Sequence, residues 1–127
     1  MLLLLDTSVL IDVPRSRKGR RELLERFVLD GHHLATTALN VVEIYMGIRA
    51  GEEGQTDSLL GSLECYELDA DTAKRAGLLK NSWAKKGTTI SLQDAIVAAV
   101  ALSRGCALLT DNRKDFPMPE LDLYPLT

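Results

Sequence analysis

The acids of this chain stand at positions where carboxylates do chemistry. Asp6 ends the apolar run Met1-Leu2-Leu3-Leu4-Leu5. Glu43 lies in Asn40-Val41-Val42-Glu43-Ile44-Tyr45-Met46, on or beside an apolar helical face. Asp94 lies in Ser91-Leu92-Gln93-Asp94-Ala95-Ile96-Val97, three residues after a serine. Asp111 follows Leu108-Leu109-Thr110, and Asp115 comes four residues later. An unpaired acid against apolar surroundings is costly. Several acids in one pocket raise one another's pKa and oppose folding unless a cation sits among them. An all-oxygen donor set suits a hard divalent ion, so the expected cofactor is Mg²⁺, with Mn²⁺ as the alternative. His32 and His33 adjoin Gly31 without the helical spacing of a zinc pair and read as loop residues.

Each acid also has an ordinary structural role open to it. Asp6 can cap a helix starting at Ser8 or Val9. Glu43 can reach water or pair with a nearby arginine. Ser91 and Asp94 have the spacing of a capping box. Asp111 can sit in an Asp-Asn turn, with Asp115 solvated. Capping and metal binding are compatible, because one carboxylate oxygen can serve each.

The elements that must position these acids follow from hydrophobic spacing. Strands are expected at residues 2–5, 34–36, 65–68, 107–110 and 123–124, and helices at 20–29, 38–49, 56–63, 70–86 and 92–104. Gly105 is a natural stop for the last helix. Alternating strands and helices imply a parallel sheet covered on both faces. Asp6 and Asp111 then lie at strand carboxyl ends, where open α/β sheets bind ligands. If the first and fourth strands are neighbours, Asp6, Asp94 and Asp111 gather at one edge.

A chain of 127 residues is expected to form one domain, 1–127. Its net charge of −3 does not advertise nucleic-acid binding. Positive charge is local: Arg15, Arg17, Lys18, Arg20 and Arg21 form a run that either faces solvent or holds phosphates. Cys65 and Cys106 lack metal-ligand spacing and are expected to be free buried thiols in a reducing cytosol. The leucine run has no basic segment before it and is broken by Asp6, so it does not read as a signal peptide. No segment approaches the roughly 20 apolar residues that span a bilayer. A cytoplasmic protein without a membrane partner is expected.

With these residues in view, the sequence resembles PIN-domain ribonucleases of the VapC type, the toxins of toxin–antitoxin pairs. Asp6-Thr7-Ser8-Val9-Leu10-Ile11-Asp12 is similar to the N-terminal motif of that family. Glu43 with Tyr45-Met46-Gly47-Ile48-Arg49, Asp94 with Ala95-Ile96-Val97-Ala98-Ala99, and Thr110-Asp111-Asn112-Arg113-Lys114-Asp115-Phe116 are similar to its later motifs. The resemblance implies an α/β fold, a three-layer α/β/α sandwich with a mostly parallel central sheet. It also implies Mg²⁺- or Mn²⁺-dependent cleavage of RNA phosphodiester bonds. Its acidic site carries onto Asp6, Glu43 and Asp94, with either Asp111 or Asp115 as the fourth acid. Asp6, Asp94 and Asp111 are the expected metal ligands, Asp115 is the alternative to the last of them, and Ser8 and Thr110 are supporting polar groups. A metal lowers the pKa of bound water and stabilises the oxygens of an in-line displacement. Glu43 would hold or deprotonate the attacking water. Arg15, Arg17, Lys18, Arg49, Arg113 and Lys114 are candidates for RNA phosphates, which would reconcile an acidic protein with a polyanionic substrate. A homodimer and a small antitoxin that occludes the site are also implied.

Other classes fit less well. A Mg²⁺-dependent phosphoryl-transfer enzyme of the haloacid-dehalogenase type needs a second acid two residues after the first, where this chain has Ser8. A receiver-like signalling domain needs an acid pair after its first strand and a lysine after its last. No Walker pattern or Gly-x-Gly-x-x-Gly occurs, against a nucleotide-binding module. A non-catalytic homologue of the same family is opposed by the intact acid set.

Overall fold

The computed structural model describes residues 1–126. Four parallel strands run β1 (Leu2–Leu5), β2 (His33–Thr37), β3 (Glu64–Tyr66) and β4 (Ala107–Leu109), in the spatial order β3-β2-β1-β4. Between and around them run α1 (Thr7–Leu10), α2 (Arg20–Leu29), α3 (Ala38–Met46), α4 (Glu53–Gly61), α5 (Ala70–Lys85) and α6 (Leu92–Arg104), followed by a 3₁₀ turn at Arg113–Asp115. Leu3 pairs with both Leu34 and Ala107, so β1 is central and buried on both sides, as a leucine run demands.

The side-chain alternation of β1 builds two cores. Leu4 packs with Val97, Val100, Leu108, Phe116 and Met118 beneath α5 and α6. Leu3 and Leu5 pack with Val9, Leu10, Leu23, Leu24, Phe27 and Ile44 beneath α1, α2 and α3. The result is the expected α/β/α sandwich with a parallel sheet. Strand order reverses between β1 and β4: the chain moves outward through β2 and β3, then returns to the other side of β1. Such a reversal opens a crevice at the strand carboxyl ends.

Several boundaries differ from the sequence reading for local reasons. The helix expected at 38–49 stops at Met46, where the Gly47 N–H bonds back to the carbonyls of Ile44 and Tyr45. The helix expected at 56–63 starts earlier, at Glu53, and ends at Gly61. The strand expected at 123–124 is a single parallel bridge from Leu123 to Leu108. His33 is the first residue of β2 rather than a loop residue. Cys106 is buried as expected, but Cys65 is exposed, because β3 is the sheet edge. Helix α1, one turn long, escaped the periodicity argument altogether.

Candidate active site

Asp6 leaves β1 with its N–H bonded to the Leu109 carbonyl of β4 at 3.0 Å, so strand pairing fixes where the acid emerges. It caps α1: Oδ1 accepts from the Thr7 N–H at 2.9 Å and from Asn40 Nδ2 at 3.2 Å. Oδ2 accepts from the Thr110 hydroxyl at 2.8 Å. The Ser8 hydroxyl has one proton to divide between Asp6 Oδ2 at 3.5 Å and Thr110 Oγ1 at 3.3 Å. The carboxylate is thus buried and oriented, and every donor is neutral. Its charge is uncancelled, and Oδ2 keeps lone-pair capacity for a further partner.

Glu43 is half-buried on α3. That helix starts sharply because the Thr37 hydroxyl accepts from the Asn40 N–H at 3.1 Å. Glu43 Oε1 accepts from the Thr7 hydroxyl at 3.0 Å and lies 3.4 Å from Asn40 Nδ2. Asn40, with no solvent exposure, therefore touches Asp6, Thr7 and Glu43 through one amide nitrogen, while its carbonyl oxygen accepts from Thr37 at 2.7 Å. The sequence reading assigned no role to Asn40 or Thr7. Thr7 lies inside the N-terminal motif after Asp6, and the one signal for Asn40 is spacing: it sits three residues before Glu43 on a helix, hence on the same face.

Asp94 opens α6, with its N–H donated to the Ser91 hydroxyl at 3.1 Å. The cap and the inward-facing carboxylate coexist. Burial pushes the Asp94 carboxyl above the usual carboxylate range; the Ser91 hydroxyl works against this, and the charges of Asp6, Asp115 and Glu43 add to it. Three acids from other segments, Asp6, Glu43 and Asp115, thus lie near enough to Asp94 for their charges to act on it. Among the described residues, none of the four is in a salt bridge.

The two C-terminal acids part company. Asp115, in the 3₁₀ turn, is exposed and acts on Asp94. Asp111 accepts from Arg20 Nη2 at 2.6 Å and lies 3.5 Å from Lys18 Nζ. Its N–H goes to the Ser8 hydroxyl at 3.0 Å. Among the described residues, no three such side chains are drawn together tightly enough to enclose a metal ion on their own. Bare carboxylates repel, and Mg²⁺ commonly uses one or two of them and keeps several waters. The donor set, all oxygen and, among the described residues, without a salt-bridged cation at these four acids, fits such an ion.

The basic candidates also divide. Arg15 is committed to Glu52, at 2.9 and 3.3 Å, and to the Gly47 carbonyl at 3.1 Å, clipping the first loop to the α3–α4 turn. Arg20 is buried, and Arg21 reaches the Val13 carbonyl at 3.4 Å. Arg113 bonds the Tyr124 carbonyl at 3.3 Å from an exposed position. Arg17, Lys18, Arg49 and Lys114 are exposed. A groove of about 1000 Å³ lies between α2 and α4, away from the acids, lined by Val13, Leu24, Val28, Leu34, Leu59 and Leu63 among others.

A sheet that reverses at β1/β4 and presents carboxylates there defines a class. The chain belongs to the PIN-domain family, whose model matches residues 3–118. Within it, the chain is similar to proteins named as VapC ribonucleases. Ribonuclease VapC10 of Mycobacterium tuberculosis is 30% identical over 119 residues, covering 94% of this chain and 89% of its own length. The tRNA(fMet)-specific endonuclease VapC of Salmonella typhimurium is 24% identical over 118 residues, covering 89% and 88%. A toxin–antitoxin complex from Klebsiella pneumoniae matches with a TM-score of 0.79 and 26% identity, over 98% of this chain and 99% of that one. VapBC2 from Rickettsia felis shares the fold with a TM-score of 0.84 at 24% identity, over 98% of both chains.

Proposed function

We propose that this chain is a divalent-metal-dependent endoribonuclease and the toxin of a toxin–antitoxin pair, acting as one nuclease domain. The observation that carries the reading is the contrast among the acids. Asp12 and Asp111 have cationic partners, whereas Asp94 lies under the charges of Asp6, Glu43 and Asp115, and none of these four has a cationic partner among the described residues. The named activities and partners of the VapC relatives support it.

In this reading Asp6 and Asp94 are the principal Mg²⁺ or Mn²⁺ ligands. Asp115 completes the set in preference to Asp111, whose charge is engaged by Arg20 and Lys18. When bound there, the ion would lower the pKa of water and offset charge at the phosphate. Glu43, fixed by Thr7 and Asn40, orients the attacking water and takes up its proton. Ser8 and Thr110 keep Asp6 in place. Exposed Arg17, Arg49, Arg113 and Lys114 hold flanking RNA phosphates, while Arg15, paired with Glu52, and Lys18, paired with Asp12 and Asp111, serve the fold instead. A cytoplasmic setting, a homodimer and a small antitoxin covering the site complete the proposal. No helix among the described residues is long and apolar enough to cross a membrane.

The test is incubation of the purified protein with total RNA, with Mg²⁺, with EDTA, and with Asp94→Asn in place of the native chain. Cleavage that needs Mg²⁺ and is lost in D94N is expected. Cleavage unchanged in both EDTA and D94N would overturn the reading.

A further inference from the structure

Arg20 is a charged side chain 8% exposed, at the first position of α2. The chain reaches it through a tight bend in which Ser16, Lys18 and Gly19 all take left-handed backbone angles, φ 52°, 55° and 62°. Only glycine adopts that region freely, so something must hold Ser16 and Lys18 there. The bend aims two cations at two acids. Arg20 Nη2 lies 2.6 Å from Asp111, and its Nε, buried and without a hydrogen-bond partner among the described residues, faces the buried Asp12 at 4.0 Å. Lys18 Nζ lies 3.5 Å from Asp111 and 3.8 Å from Asp12. The four charges cancel.

The network continues into the acidic site. The Asp111 N–H holds the Ser8 hydroxyl at 3.0 Å, and Ser8 meets Thr110 Oγ1 at 3.3 Å. Thr110 donates to Asp6 Oδ2 at 2.8 Å and accepts from the Asn112 N–H at 3.0 Å. The Asn112 carbonyl then accepts from the Asp115 N–H at 2.9 Å. One turn, residues 110–112, thus sets both Asp6 and Asp115, and Arg20 grips that turn from beneath.

We propose that Arg20 is a positioning residue for the acidic site: it withdraws Asp111 from the acids that face a cation and pins the turn that orients Asp6 and Asp115. This rests on the metal-dependent nuclease reading above. Outer-shell partners of metal ligands commonly affect metal affinity by about 10- to 100-fold.

The test measures Mn²⁺ affinity by calorimetry, alongside melting temperature, for the native chain, Arg20→Met, Asp111→Ala, the double variant and Asp94→Asn. R20M and D111A are each expected to weaken Mn²⁺ binding about 10-fold. The double variant is expected to be no weaker than either, since both changes cut one connection. Because R20M leaves the buried Asp12 with only the exposed Lys18 as a cationic partner, R20M combined with Asp12→Asn repeats the measurement with both charges removed. Arg20→Lys keeps the charge without the fork and is expected to fall between the native chain and R20M. Tighter or unchanged Mn²⁺ binding in R20M, with a loss in D111A, would make Asp111 a ligand and overturn the proposal. Losses that add in the double variant, or a lowered melting temperature with native affinity in R20M, would also overturn it. If D94N binds Mn²⁺ as the native chain does, the nuclease reading itself fails. If D94N loses binding while R20M does not, only the role of Arg20 fails.

Discussion

At the scale of single residues, the site is a buried negative charge held by neutral dipoles. Asp6 is oriented by Thr7, Asn40 and Thr110, none of which cancels its charge. Asn40 carries the most connections, and truncating it strands buried partners. Asn40→Ala is expected to cost about 1–3 kcal/mol of stability, the penalty for leaving buried groups unsatisfied, and to slow RNA cleavage because Glu43 and Asp6 lose their common tether. Urea unfolding and a cleavage assay check the two halves. The cysteines give a second expectation. Burial pushes the Cys106 thiol up to about 11. A thiol-specific reagent at about pH 8 should therefore label the exposed Cys65 first, although burial and Glu67 raise its thiol too, and Cys106 only on unfolding, because the thiolate is the reactive form. The raised pKa also has a thermodynamic sign. The folded chain holds the Cys106 proton to higher pH than the unfolded chain, whose ordinary value is 9.0. Stability from this thiol is full below the unfolded value and is lost as pH rises through the folded one. Cys106→Ala should flatten the fall in stability across that window, as read by denaturation at a series of pH values.

At the scale of elements, caps decide where each acid points. Asp6 caps α1, Thr37 caps α3 just ahead of Asn40 and Glu43, and Ser91 caps α6 just ahead of Asp94. Each cap fixes the first turn of a helix: Asp6 is itself a cap, Asp94 lies in the first turn of α6, and Glu43 lies one turn further along α3. Ser91→Ala is expected to lower stability by about 1 kcal/mol. It should also disturb the Asp94 backbone, so its effect on Mg²⁺-dependent cleavage should exceed that of a change at the far end of α6. Gly105, with φ 67°, closes that far end. Gly105→Ala should destabilise by a similar amount through backbone strain and leave metal affinity unchanged. Thermal melts with parallel Mn²⁺ titrations distinguish the two variants.

At the scale of the whole molecule, folding assembles like charges, and a ligand that binds only the folded chain stabilises it by mass action. Saturating Mg²⁺ should raise the melting temperature, EDTA should reverse the rise, and D94N should abolish it. Differential scanning fluorimetry gives the comparison directly. The proposed homodimer predicts twice the chain mass by light scattering. The exposed apolar residues Val42 and Met46, one helical turn apart on α3, are a surface such an assembly could cover. Met46→Glu is expected to shift the mass toward one chain if that surface is used.

Local physics made much of this protein legible in one dimension. A leucine run stopping at an acid gave β1 and Asp6, apolar spacing gave α2 and α6 to the residue, and Ser91 announced the start of the helix that carries Asp94. Those features depend on neighbours within a few positions along the chain. Long-range closure decided the rest. Asp111 and Asp115 are equivalent as letters, and tertiary contacts separate them: Arg20 and Lys18 pair with Asp111, whereas Asp115 acts on Asp94. Asn40 looks like any polar helix residue until β1 and α3 meet around it. Arg15 and Arg20 belong to one basic run, yet one clips a loop to Glu52 and the other is buried against two acids. The partner of a charge is chosen by distance through space, and a hydrogen bond spanning 91 positions, as from Arg20 to Asp111, exists only once the sheet has closed.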